Sequence, residues 1–62
     1  MLKYSFVYKT PANETSSVFI EAKGMEDAIE EFIEYCLEKY SKPIGRENII
    51  EVWLKCDLNP NV

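Results

Sequence analysis

Residues 25–40 read MEDAIEEFIEYCLEKY, and the spacing of their apolar side chains decides the fold. Met25, Ala28, Ile29, Phe32, Ile33, Cys36, Leu37 and Tyr40 follow the i, i+3, i+4, i+7 pattern, which draws one wide stripe along an α-helix. Gly24 can serve as the N-cap. Glu26 and Asp27 fall in the first turn and Lys39 in the last, where each charge complements the helix dipole. Pro43 pushes Lys42 out of helical geometry and closes the element. A stripe this wide needs a surface to pack against, and the flanking segments supply a sheet.

On the N-terminal side, Leu2, Tyr4, Phe6 and Tyr8 alternate with Lys3, Ser5, Val7 and Lys9, the period of a half-buried strand. The loop Thr10-Pro11-Ala12-Asn13-Glu14 ends it. Ser17 to Lys23 alternates again, with Val18, Ile20 and Ala22 on one face and Phe19 and Glu21 on the other, so the two segments form a hairpin. On the C-terminal side, beyond Gly45, Asn48 to Cys56 reads as the last strand. Ile50, Val52, Leu54 and Cys56 share one face, and Glu51, Trp53 and Lys55 the other.

The expected architecture is therefore α+β: a single ββαβ domain over residues 1–62 with a frayed tail at 57–62. Its three-stranded, mostly antiparallel sheet runs in the order 2-1-3, with one helix packed on one face. The helical crossover is expected to be right-handed. No further element remains to cover the second sheet face.

That open face carries Lys3, Ser5, Val7, Lys9, Phe19, Glu21, Lys23, Glu51, Trp53 and Lys55. Val7, Phe19 and Trp53 come from three strands and are expected side by side. Exposed apolar groups that include Trp and Phe mark protein interfaces. Back-to-back dimerisation through this face ranks first, because 62 residues build a marginal core that a second copy would enlarge. Docking of a different protein ranks second. Weak stacking of single-stranded nucleic acid on Phe19 and Trp53 ranks third, with Lys3, Lys9, Lys23 and Lys55 near phosphates. The face lacks arginine, and the formal charge of −4 disfavours direct nucleic-acid binding.

The opposite side of the helix carries Glu26, Glu30, Glu34 and Glu38 at spacings of four, with Asp27 and Glu31 in a parallel row. Successive members stand about 6 Å apart along the axis. No lysine interrupts the row, and like charges at i, i+4 repel. The plainer reading is a solvated, solubilising face. The sharper one is a mimic of a phosphate backbone: an inhibitor, of the kind phages and mobile elements use against host defences, that blocks a basic nucleic-acid-binding partner.

Catalysis is not expected. The chain has no histidine to activate Cys36 or Cys56, and the cysteines lie twenty residues apart without a C-x-x-C pair, so neither a nucleophile nor a metal site is readable. Cys56 is expected on the core side near the helix start, too far from Cys36 for a disulfide. No phosphate-binding glycine loop or EF-hand pattern occurs, and no cofactor is implied. Met1 leads straight into a strand, without a basic and apolar leader, and no apolar run reaches the roughly 20 residues of a membrane helix. A cytoplasmic, membrane-free protein with reduced thiols is the expectation, and the sequon Asn13-Glu14-Thr15 then reads as chance. The composition, 47% hydrophobic and 29% charged, is that of a folded chain. The expected function is non-catalytic protein binding that regulates or occludes a partner, including self-association through Val7, Phe19 and Trp53.

Overall fold

The computed structural model describes residues 1–57, with side chains through Lys55. Its elements run β1 (Leu2–Lys9), β2 (Thr15–Ala22), α1 (Met25–Tyr40), a short 3₁₀ turn (Arg46–Asn48) and β3 (Ile49–Asp57). The sheet order is β2-β1-β3, and both neighbours of β1 run antiparallel to it. This is the expected α+β architecture. The frayed tail was expected from Asp57; that residue instead ends β3, opposite Leu2. Residues 58–62 lie outside the described residues.

The β1–β2 loop is held at both ends of Thr10. Its amide donates to the Glu14 carbonyl at 2.8 Å, its carbonyl accepts from the Asn13 amide at 2.8 Å, and its hydroxyl accepts from the Glu14 amide at 3.1 Å. Asn13 takes the left-handed conformation that closes the turn, one that asparagine tolerates better than most residues. The helix begins at Gly24, whose carbonyl accepts from the Ala28 amide, and ends at Ser41, left-handed with its amide on the Leu37 carbonyl.

Alternation along β1 sends Tyr4, Phe6 and Tyr8 to the helix side. They form the core with Ile20, Ala22, Ala28, Ile29, Phe32, Cys36 and Ile44. Phe6 and Phe32 stack with ring centroids 4.6 Å apart, and Tyr8 meets Phe32 edge-on at 5.0 Å. Full burial of one such ring contributes about 1.5–3 kcal/mol, so this aromatic trio is a large share of what holds a chain of this size. Tyr8 keeps its hydroxyl satisfied at the edge of the core, 2.7 Å from that of Tyr40. Ile44, a lone apolar residue between Pro43 and Gly45, folds back into the core.

Strand β3 departs from simple alternation. Opposite β1, Val7 pairs with Glu51 but Tyr8 with Ile49, and Lys3 pairs with Cys56 but Tyr4 with Leu54. Ile50 and Lys55 are thus extra residues in two β-bulges. Ile49, not Ile50, takes the core position against Tyr8; Ile50 is exposed. Leu54, opposite Tyr4 on the helix side, is also exposed, as are Leu37 and Met25 at the margins of the helix stripe. The expected orientation of the Cys56 side chain lies outside the described residues.

Candidate protein-docking site

The open face is built on β1, whose outward residues are Lys3, Ser5, Val7 and Lys9. Ser5 pairs with Phe19 on one side and with Trp53 on the other. One rung of the sheet therefore reads Phe19–Ser5–Trp53, two aromatics standing about 10 Å apart across three strands. Ser5 is buried although no element covers it, whereas Phe19 remains 55% exposed and Trp53 42%. The next rung on this face is Ser17–Val7–Glu51, with Val7 partly buried, and the rung on the other side sets Glu21 opposite Lys3. Oppositely charged cross-strand pairs of this kind stabilise a sheet modestly. The Lys3 ammonium also lies 5.3 Å from the centre of the Phe19 ring, within cation–π range.

The structure thus brings Phe19 and Trp53 onto one rung and sets Val7 on the next. It moves Lys23 off this face: β2 ends at Ala22, and Lys23 lines a cleft on the helix side. Of the lysines expected on this face, Lys3 is the one that contacts an aromatic, Phe19. The two aromatics expose about 200 Å² together, taking roughly 200 and 250 Å² for the whole residues. A standard interface buries about 800 Å² per partner. The rings can anchor such an interface, with the aliphatic stems of the lysines and Val7 supplying its margin.

All six carboxylates expected on the outer helix face are exposed. They do not form one uniform ladder. Glu26 meets Arg46 at 3.3 Å in a surface ion pair, a contact of the kind worth well under about 1 kcal/mol. Asp27, Glu30, Glu31 and Glu34 converge with Glu21 on an open cleft of about 230 Å³ beside Ala22, along the β2 flank of the sheet; Lys23 and Met1 complete its lining, so carboxylates dominate the cleft without filling it. Glu38 stands apart, next to Tyr35 and Lys39.

A third group lies at the C-terminal end of the helix. Burial, together with the hydrogen bond to Tyr40, pushes the Tyr8 phenol well above the ordinary tyrosine value. Burial likewise raises the Cys36 thiol, so the sulfur stays protonated and unreactive near neutral pH. The Lys39 ammonium donates to the Tyr35 hydroxyl at 3.2 Å, which favours its charged form. These groups stabilise their neutral or resting forms, and none is set up as a nucleophile or base. Among the described residues, no three His, Cys, Asp or Glu side chains are grouped to hold a metal ion. Nor is any described helix long and apolar enough to cross a membrane.

The chain matches no protein-family model, no curated protein and no solved structure. The candidate site therefore stands on geometry. Sequence reasoning assigned the open face but passed over Ile50 and Leu54, the exposed apolar residues of β3, because it placed both in the core. No local feature of IIEVWLKCD announces a bulge; the extra residues emerge only in the fit to β1.

Proposed function

We propose that this protein is a non-catalytic binding and regulatory module that docks onto proteins, copies of itself included, through its sheet. Val7, Phe19 and Trp53 are the anchors on the open face. The observation that supports this reading is the Phe19–Ser5–Trp53 rung: two large, exposed aromatics flank a buried serine on a face that no described element covers. Exposed rings held on a sheet bind with little loss of side-chain freedom, which makes them efficient anchors. Regulation would act by occlusion of the partner's surface.

A second reading uses the helix. Asp27, Glu30, Glu31 and Glu34 converge on one cleft, and among the described residues Glu26 is the only member of the outer row with an ion-pair partner. In that reading the protein mimics a nucleic-acid backbone and blocks a basic partner through complementary charge.

The two readings separate in one experiment. Tagged wild-type protein is used to capture partners from a nuclease-treated lysate, beside Phe19→Asp and the double variant Glu30→Lys/Glu34→Lys. Capture lost with Phe19→Asp and kept with the helix variant supports the sheet. Loss with the helix variant, together with weakening by added salt, moves the function to the acidic flank. Capture indifferent to both variants sinks both readings.

A further inference from the structure

A three-stranded sheet has two edges, and in this protein they are unlike. The β2 edge runs beside Glu21 and the carboxylates of Asp27, Glu30, Glu31 and Glu34, which outnumber the Lys23 among them. A second copy pairing there would bring two acidic flanks together. The β3 edge carries Trp53 and the exposed apolar residues Ile50 and Leu54. An edge strand of nine residues with unpaired amides and carbonyls invites another strand.

The sequence of β3 is self-complementary about one residue. In an antiparallel pair related by a two-fold axis at Trp53, position i faces position 106 − i of the partner. Glu51 then stands opposite the partner's Lys55, Lys55 opposite the partner's Glu51, and Val52 opposite the partner's Leu54. Neighbouring axes do worse. An axis at Leu54 sets Glu51 against the partner's Asp57. An axis at Val52 sets Glu51 against the partner's Trp53 and Lys55 against the partner's Ile49. Only the axis at Trp53 makes two opposite-charge pairs. Glu51 and Lys55 are both exposed and free to take part. The pairing with β1 runs without interruption from Glu51 to Leu54, so Ile50 lies outside the central pairs, while Lys55, the extra residue of the second bulge, closes them at their end.

We infer that a second copy of this chain pairs antiparallel along β3, with the two-fold axis at Trp53 and Glu51 facing the partner's Lys55. This rests on the reading of the protein as a self-associating binding module, and it moves the contact between copies from the open face to the sheet edge. The product is a six-stranded sheet with both helices on one side. Its open faces join, so that Phe19, Trp53, the partner's Trp53 and the partner's Phe19 lie in one row. The docking face is doubled in width and stays free for another protein.

The test is a charge swap read by sedimentation equilibrium and native mass spectrometry. Glu51→Lys and Lys55→Glu each turn two attractive cross-strand pairs into two repulsive ones, so each should weaken the homodimer by roughly tenfold or more. Mixed together, the two variants should form the heterodimer, in which both pairs are again opposite in charge. The double variant Glu51→Lys/Lys55→Glu keeps the wild-type net charge and should recover the homodimer. Both positions are exposed, so folding should survive, and circular dichroism checks that it does. Homodimers of the single variants as tight as wild type overturn the proposal. So does monomerisation by Phe19→Lys with charge swaps that are neutral, which would place the contact on the open face. A wild-type chain that is monomeric at every concentration overturns the edge pairing and, with it, the self-association in the proposed function; docking onto other proteins through Phe19 is tested separately by partner capture.

Discussion

Phe19 and Phe32 are the same side chain on opposite faces of one sheet, and replacing each with alanine should have very different effects. Phe32 is fully buried, stacked on Phe6 at 4.6 Å and edge-on to Tyr8 at 5.0 Å. Truncating such a ring costs about 3–5 kcal/mol, transfer and cavity terms together. A chain of 62 residues is expected to hold only about 3–9 kcal/mol in total. Phe32→Ala should therefore lower the melting temperature by about 15–30 °C or leave the chain unfolded at room temperature. Phe19 is 55% exposed. At 25 cal/mol/Å², the roughly 90 Å² it buries gives at most ~2 kcal/mol, and nearer 1 once the β-carbon that remains and the compact unfolded chain are allowed for. Phe19→Ala should then lose only about 5 °C. Urea and thermal unfolding followed by far-ultraviolet circular dichroism, at protein concentrations low enough to keep the chain monomeric, measure both. Equal losses at the two positions would refute the reasoning, because they would mean that something already covers the open face.

Three further outcomes are expected. The raised Tyr8 phenol favours the neutral form in the folded state, so its contribution is complete below the ordinary value of 10.0 and falls as pH rises beyond it. Alkaline titration should show stability declining above about pH 10, and Tyr8→Phe should flatten that limb while costing about 1 kcal/mol at neutral pH for the lost bond to Tyr40. In a Cys56→Ser background, Cys36 should ignore a thiol reagent such as Ellman's under native conditions and react only with denaturant, since it is buried with a raised pKa; fast native labelling would contradict the packing. Glu34→Lys replaces two like-charge neighbours at i±4 with opposite-charge ones and should stabilise the fold by about 0.5–1 kcal/mol in low salt, with the gain shrinking in high salt; a loss would show that the carboxylates of the β2 flank are held by something other than solvent.

What could be read from the sequence followed the strength of local periodicity. Four alternating pairs in Leu2–Lys9 sorted Tyr4, Phe6 and Tyr8 from Ser5 and Val7 without ambiguity, and they fixed β1 as the strand that both neighbours share. The helix from Met25 to Tyr40 was legible to its ends, because Gly24 and Pro43 bracket an unbroken stripe. Strand β3 was legible as a strand, and its faces were legible from Glu51 to Leu54 but not at the bulges. Each bulge displaces the alternation by one residue, and nothing between Ile49 and Asp57 marks where the backbone must slip to stay paired with β1. Leu37 shows a related limit: the stripe gives its angle on the helix but not how far the opposing layer extends, and it lies 50% exposed at the margin. Ile44 carried no periodic cue, since a lone apolar residue in a connection can point either way. The Phe19–Trp53 rung was recoverable because it depends on β1, the most regular element; Ile50 was not, because it depends on a bulge, nor was the exposure of Leu54, because α1 packs toward β2 and away from β3.

The acidic flank and the apolar edge make structural sense together. A sheet with two open edges of equal appeal would keep adding copies, because each pairing leaves one edge free. Here the crossover helix brings Asp27, Glu30, Glu31 and Glu34 beside β2, so a copy arriving at that edge meets a flank where carboxylates outnumber Lys23, with the same excess of its own. At β3 the only charges between Glu51 and Lys55 are those two, which neutralise each other across the two-fold axis. The proposed pairing along β3 would use up the attractive edge of both copies and leave a repulsive edge at each end of the six-stranded sheet. Association would then be closed at two. On this argument the one-signed row of carboxylates, which costs helix stability at each i, i+4 repulsion, limits assembly, and it need not contact any foreign partner to do so.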